Sequence, residues 1–351
     1  MRSPLLASVH SLLHSLLPKL GAPLGRPLAL LLVLLALFVM APTVHAQTCT
    51  AAMTPLNIPS VSPVRGVSYT GNATLTVTCT WGLLNLAPNA QVCINLGTGS
   101  TSTGQNPRTL GNGGSRLQYR IAGNAGYSPL WGSTATSTTP ISVLLQQPLL
   151  GTVASTNVTI NAQTLPSQVT VPTANNAATT YTESFAGVAT IAYSYYLLGT
   201  PPACSTLTPQ GTFTPTITAS VINDCLISAT AMNFGSTGLI TADRRTTSQL
   251  TVQCTNNAAY RIALNGGANG TVSARNMQLS GGSASQRVPY QLYTDAAYSI
   301  PWGDGTNGTS MVTGLGTGTA QTVTVYGRVA AQAGGPTPGS YSDQVQATIY
   351  F

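Results

Sequence analysis

Leu75-Thr-Val-Thr-Cys79-Thr80 returns further along the chain as Leu250-Thr-Val-Gln-Cys254-Thr255. In both, apolar residues alternate with threonine or glutamine, the period-two pattern of a half-buried β-strand. The match extends outward in order. Cys49-Thr50 and Cys225-Leu226 open the two copies. Val92-Cys-Ile-Asn-Leu-Gly97 aligns with Tyr260-Arg-Ile-Ala-Leu-Asn265, and Arg108-Thr-Leu110 with Arg275-Asn-Met277. Leu117-Gln-Tyr-Arg120, followed by Leu130-Trp-Gly132, aligns with Tyr290-Gln-Leu-Tyr293, followed by Pro301-Trp-Gly303. Val158-Thr-Ile160 aligns with Val323-Thr-Val325, and both copies end on an alternating aromatic segment, near 188–196 and 345–351.

The repeat divides the chain into 47–206 and 207–351. Each unit reads as short Val-, Thr-, Ile- and Tyr-rich segments broken by Gly, Asn and Pro, with no sustained 3.6-residue period. That is an all-β chain, and units of this size favour a two-sheet sandwich in which half-buried sheets cover each other. Trp131 and Trp302 recur in both copies and read as residues of the fold.

Of 351 residues only 5% are charged, and the three histidines and the only lysine lie in the first 46. Beyond residue 46 stand ten Arg against five Asp and one Glu, a net charge of 10 − 6 = +4. A catalytic histidine, a His-ligated metal, a Schiff-base lysine and a phosphate-loop lysine are thereby excluded from that part. Scattered arginines without lysine make no basic stripe, so nucleic acid is not an expected partner. A serine nucleophile would have no histidine base. Glu183 is the only acid of the first unit, and Asp295 and Asp304, which flank Trp302, read as surface turns rather than a glycosidase pair or a calcium site. The expectation is a protein that is not an enzyme and has no cofactor and no metal.

Residues 28–41 form one apolar run, short of the roughly 20 residues that span a bilayer. Arg2, Lys19 and Arg26 precede it and Val44-His45-Ala46 follows. This is the layout of a secretory signal peptide, placed at 1–46 with cleavage after Ala46. In an exported chain six cysteines read as disulfides. The repeat supplies the pairing: Cys49–Cys79 and Cys225–Cys254 as equivalent bonds, and Cys93–Cys204 by elimination.

The second unit resembles the spore coat protein U domain, the pilin unit of archaic (Csu-type) chaperone–usher pili. The matching residues are Cys225 with Ala231-Met-Asn-Phe-Gly235, Leu250–Thr255, Ile262-Ala-Leu-Asn-Gly-Gly267 and Arg275-Asn-Met277. Val288–Asp295, Trp302-Gly303, Val325-Tyr-Gly-Arg-Val329 and Gly339–Val345 complete the set. The first unit is a diverged copy without the Phe-Gly element. The resemblance implies immunoglobulin-like sandwiches, at least one lacking a strand that a donor supplies. It implies a periplasmic chaperone, an outer-membrane usher and a neighbouring subunit as partners. Export to the periplasm and display at the cell surface follow from it. Two-domain subunits of this class sit at the pilus tip, with attachment to abiotic or host surfaces and biofilm formation as the expected role. The alternatives are a stalk pilin or a non-adhesive structural, spore-coat-like protein. Only Gln47 and Thr48 separate the expected mature terminus from Cys49, so no donor strand of its own is expected there.

Two segments carry the functional expectations. In 212–222, Phe213, Pro215, Ile217, Ala219 and Val221 share one face. They suggest a strand that completes the first unit within the same chain; the alternative is an ordinary first strand of the second unit. Where the second unit passes from Cys254 to Tyr260 through polar residues, the first inserts Trp81, Leu83, Leu84 and Leu86. Where the second has Gly314-Leu-Gly-Thr-Gly318, the first has 143–150, including Leu149 and Leu150. Apolar residues in loops mark candidate contact sites for a surface; capping of the unit's own core is the alternative.

Overall fold

The structure, a computed structural model, describes residues 47–82 and 86–351. The expected signal peptide (1–46), Leu83 and Leu84 lie outside the described residues. Among the described residues the chain forms two tandem immunoglobulin-like β-sandwiches with no α-helix.

The first contains β1 (Thr48–Met53), β2 (Leu56–Val61), β3 (Thr70–Thr80), β4 (Asn89–Leu96), β5 (Arg108–Asn112) and β6 (Ser115–Ala122). It continues with β7 (Ile141–Gln146), β8 (Val153–Thr164), β9 (Thr179–Ser184), β10 (Ala189–Tyr196), β11 (Pro209–Thr212) and β12 (Thr216–Val221). Its sheets run β1-β3-β8-β6-β5-β9-β12-β2 and β11-β10-β4-β7. The second contains β13 (Cys225–Ala229), β14 (Arg244–Cys254), β15 (Ala259–Leu264), β16 (Arg275–Leu279) and β17 (Arg287–Tyr293). β18 (Val312–Leu315), β19 (Gln321–Val329), β20 (Tyr341–Ser342) and β21 (Ala347–Tyr350) complete it. Its sheets run β13-β14-β19-β17-β16-β20 and β18-β15-β21.

The repeat is visible in pairing register. Cys49 faces Cys79 across β1–β3, and Cys225 faces Cys254 across β13–β14. Both pairs are bonded, as is Cys93 to Cys204. Leu75 faces Val158, and Leu250 faces Val323. One stretch of the sequence alignment is displaced by two residues: the partner of Tyr290 is Tyr119, not Leu117. Each of these tyrosines bonds the carboxylate of its own unit, Glu183 or Asp343. Two residues is one full period of a strand, so the pattern alone permits the slip.

Each unit is braced inside by a buried arginine. Arg108 donates to the carbonyls of Leu96, Gly97 and Trp131, and Arg275 to those of Leu264, Asn265 and Trp302. The tryptophan beside each donates its indole N–H to Ile94 or Ile262. The brace replaces strand pairing where the two sheets separate, and it satisfies carbonyls that would otherwise be buried without partners.

The packing boundary lies later than the sequence boundary at 206/207. β11 pairs with β10, and β12 runs antiparallel to β9 and parallel to β2. Phe213, Pro215, Ile217, Ala219 and Val221 are all buried, and Phe213 stacks on Trp131. The first core therefore extends to Val221, and the second begins at Cys225. The reason is that the apolar face of 213–221 is buried in the first core while the two edges of β12 pair with β9 and β2.

A carboxylate at Ile217 would be buried without a partner, a change of about 3 kcal/mol or more. Ile217→Asp is expected to unfold the first sandwich at lower denaturant and leave the second unchanged. Amide exchange read separately at 75–79 and at 250–254 along the denaturant series separates the two transitions.

Candidate functional site

β9 and β10 are one strand that changes sheet at 185–188, and β11–β12 follow it antiparallel throughout, with Phe213 N–H donating to Ala189 O and Phe185 N–H to Pro215 O. The counterpart of that strand in the second unit is β20–β21, joined through 343–346. No described strand runs along its far side. Where β12 would lie there is a groove of about 630 Å³.

The groove is lined by the residues that occupy the β12-facing positions of the repeat. Leu56 and Ile58 of β2 face Ile217 and Ala219 and are fully buried. Counting from the shared cysteine, their counterparts are Met232 and Phe234, which line the groove and are only half-buried. Tyr181 is fully buried beside Ala219, whereas its counterpart Tyr341 is half-exposed. Leu250, Leu264, Leu292 and Val325 form the floor. β20 is two residues long and paired on one side, where β9 has six and is paired on both.

At the groove wall Tyr290 donates to Asp343 (2.7 Å), which also accepts from Ala268 N and Asn269 Nδ2. Gly267, at φ 75°, passes so close under this carboxylate that a Cβ would overlap it. Burial, then the bond to Asp343, pushes the Tyr290 hydroxyl well above its ordinary pKa. The counterpart pair, Tyr119 and Glu183 (2.5 Å), is fully buried under β12.

A second feature lies at the opposite end of the molecule. Val61, Thr179 and Val221 mark the end of the first sandwich that meets the second; Thr48, Thr80 and Val153 mark the far end. Three loops project there. Asn89 faces both Gln146 and Tyr196 and donates to Leu197 O, and Gln147 N–H donates to Pro88 O, so the loops are neighbours. Leu86, Leu149, Leu150 and Leu198 are 82, 104, 96 and 85% exposed, with Leu197 beside them. Leu197 and Leu198 carried no signal in the repeat, because they follow the aromatic strand where the second unit ends.

Trp81 requires a correction. It is not a surface residue: it is 1% exposed, packs edge-on against Tyr195 (5.5 Å) and donates its indole N–H to Ala87 O. An indole has the largest apolar area to bury and one donor to satisfy, and the loop folds back to do both. The expected loop contact reduces to Leu86, Leu149 and Leu150 among the described residues.

Burial pushes the Glu183 carboxyl above its ordinary value, opposed by Ser102, Tyr119 and Arg108. A raised folded-state pKa stabilises the fold at low pH, and that contribution is lost as pH rises through it. Relative to wild type, Glu183→Gln is therefore expected to gain stability in the first sandwich progressively as pH rises from the ordinary carboxylate range toward neutrality. Denaturation midpoints across that range check the sign.

The Spore Coat Protein U domain family matches residues 34–187 and 211–348. No curated protein matches the chain. Among solved structures, a chain of the CsuC–CsuE chaperone–tip adhesion subunit pre-assembly complex from archaic chaperone–usher Csu pili of Acinetobacter baumannii aligns at 16% identity. The alignment covers 87% of this chain and all of that one, with a TM-score of 0.46. The CupB6 tip adhesin from Pseudomonas aeruginosa aligns at 10% identity over 86% of this chain and 94% of its own, with a TM-score of 0.34. The two family matches together span most of the sequence, and the chain belongs to the spore coat protein U domain family.

Proposed function

We propose that this chain is a pilin-type subunit whose second sandwich accepts a strand from another protein, and whose first sandwich attaches to apolar surfaces through its leucine loops. One observation carries the reading. The same sheet gap that β12 fills in the first sandwich is an apolar groove in the second. Filling it would pair the free side of β20–β21 and bury Met232, Phe234, Tyr341 and Val345, which is recognition by strand addition. In this family's setting the donors are a periplasmic chaperone and then a neighbouring subunit delivered by an outer-membrane usher.

The repeat supports the reading of the far end as adhesive. In the second sandwich the ends of β14, β15 and β18 are the ones that meet the first sandwich. Asn256 Nδ2 donates to Thr170 O, Ala259 N–H to Asn176 Oδ1, and Gly318 lies against Val169 O. In the first sandwich the equivalent ends carry the exposed leucines. Each leucine contributes about 1.5–3 kcal/mol when taken out of water, so several together suffice for attachment to a hydrocarbon surface. This end points away from the groove, as a subunit at the end of a fibre requires.

Leu149→Arg with Leu150→Arg is expected to cut attachment of producing cells to polystyrene at least about tenfold without changing the melting curve, since both side chains are exposed. Met232→Arg is expected to stop surface display altogether. Immunogold labelling against 47–206 should place one particle at each fibre end. Label along fibres, or normal attachment by the double leucine variant, would overturn the adhesive reading.

A further inference from the structure

The strand that completes the first sandwich is fastened at both ends. Upstream, Cys204 precedes β11 by five residues and is bonded to Cys93 in the middle of β4. Downstream, Asp224 follows β12 and accepts from Ser62 Oγ (2.7 Å) and from Arg65 Nε and Nη2 (2.5 and 2.8 Å). Ser62 and Arg65 follow β2, the strand parallel to β12. Burial opposes ionisation of Asp224, but Arg65 and Ser62 outweigh it and hold the carboxyl below its ordinary value. Ile222 N–H donates to Val61 O, and the buried Thr255 takes Asp224 N–H on its hydroxyl while its own N–H donates to Asp224 O.

Between these two points β11 and β12 are held by strand pairing, by burial and by the side chains of Gln210, which donates to Tyr193 O, and Thr218, which bonds Leu56 O and Asn57 Oδ1 on β2. The two sandwiches are built alike, so the first without β12 would show the groove that the second shows. It would then be open to any extended segment with alternate apolar residues, including β12 of a second copy. A strand tied close to its groove has an effective concentration in the millimolar range, which a free competitor seldom matches.

We propose that the Cys93–Cys204 disulfide and the Asp224 joint are a two-ended latch that reserves β12 for its own sandwich and shuts that groove to every other strand, a second copy of this chain included. Without the disulfide, the stretch before β12 that β11 alone holds to the sandwich would lengthen from 205–215 to 197–215. Without the joint, β12 would lose its fixed register against β2.

The test compares residues 47–351 as wild type, as Asp224→Asn, as Cys93→Ala/Cys204→Ala, and as both combined. Cys49→Ala/Cys79→Ala serves as a control that loosens the sandwich away from the latch. The probe is a synthetic peptide of residues 209–222 with a photoreactive group at the position of Ile217. Amide exchange at 216–221 is read against 75–79. Wild type should protect both stretches equally and give no cross-link at 56–61. The combined variant should exchange at 216–221 at least about tenfold faster than at 75–79, cross-link at 56–61 and form dimers. The control should lose protection at both stretches together. Should the cysteine-to-alanine latch variant not fold, Asp224→Asn alone must still open 216–221 selectively. Equal protection in that variant, or opening in the control as selective as in the latch variants, overturns the proposal. Cross-linking confined to Met232 in every variant also overturns it, while leaving the strand-acceptor reading of the second sandwich standing.

Discussion

A β-sandwich short of one strand cannot be left as it is. It exposes the backbone donors and acceptors of two strands and the apolar side chains between them, and both carry a cost in water and a hazard of edge-to-edge association. Everything particular about this chain follows from the two ways it meets that constraint. In the first sandwich, 209–221 lies along β10 and β9 and closes the sheet onto β2. In the second nothing among the described residues does so, and the counterparts of fully buried residues are left half-covered around a groove.

Several of the chain's few charges sit where strand pairing gives out. Arg108 and Arg275 each gather carbonyls at the point where β4 or β15 parts from its neighbours. Glu183 and Asp343 anchor a tyrosine at the strand that changes sheet. Asp224 ties the end of β12 to the turn after β2. A chain only 5% charged spends several of those charges inside, as fixed hydrogen-bonding braces rather than as solubilising surface.

Much of the fold was legible because the chain states it twice. The alternation at 75–79 and 250–254 identifies a strand, and its repetition locates the same strand in both units. The alternation of Phe213, Pro215, Ile217, Ala219 and Val221 identifies a strand with one apolar face, but alternation carries no information on which sheet that face meets. Family likeness is equally silent there, since the second family match begins at 211, inside β11, although that strand packs in the first sandwich. Trp81 shows the opposite limit. A residue in an inserted loop reads as surface by position, yet its indole can fold back on Tyr195, and only three dimensions show that it does. Leu197 and Leu198 had no partner in the repeat to be compared with, so subtraction of one copy from the other could not reveal them.

The repeat also explains why the two ends of the molecule differ. In each sandwich the ends of the strands near the shared disulfide form one pole. In the second sandwich that pole is polar: Thr255 and Asn256 seat it on the first through backbone and amide hydrogen bonds, and Gly318 lies close against Val169. In the first sandwich the same pole carries loops with leucines and no neighbour among the described residues. Stacked units of this kind present one pole outward and bury the next against the unit ahead. Selection on a joint favours polar groups in fixed positions, which specify an orientation. An outward pole is free of that demand, and its side chains are set by what the end meets. On the adhesive reading proposed above, leucines there suit contact with an apolar surface of no fixed pattern, because burial of apolar area is non-directional and asks only for proximity.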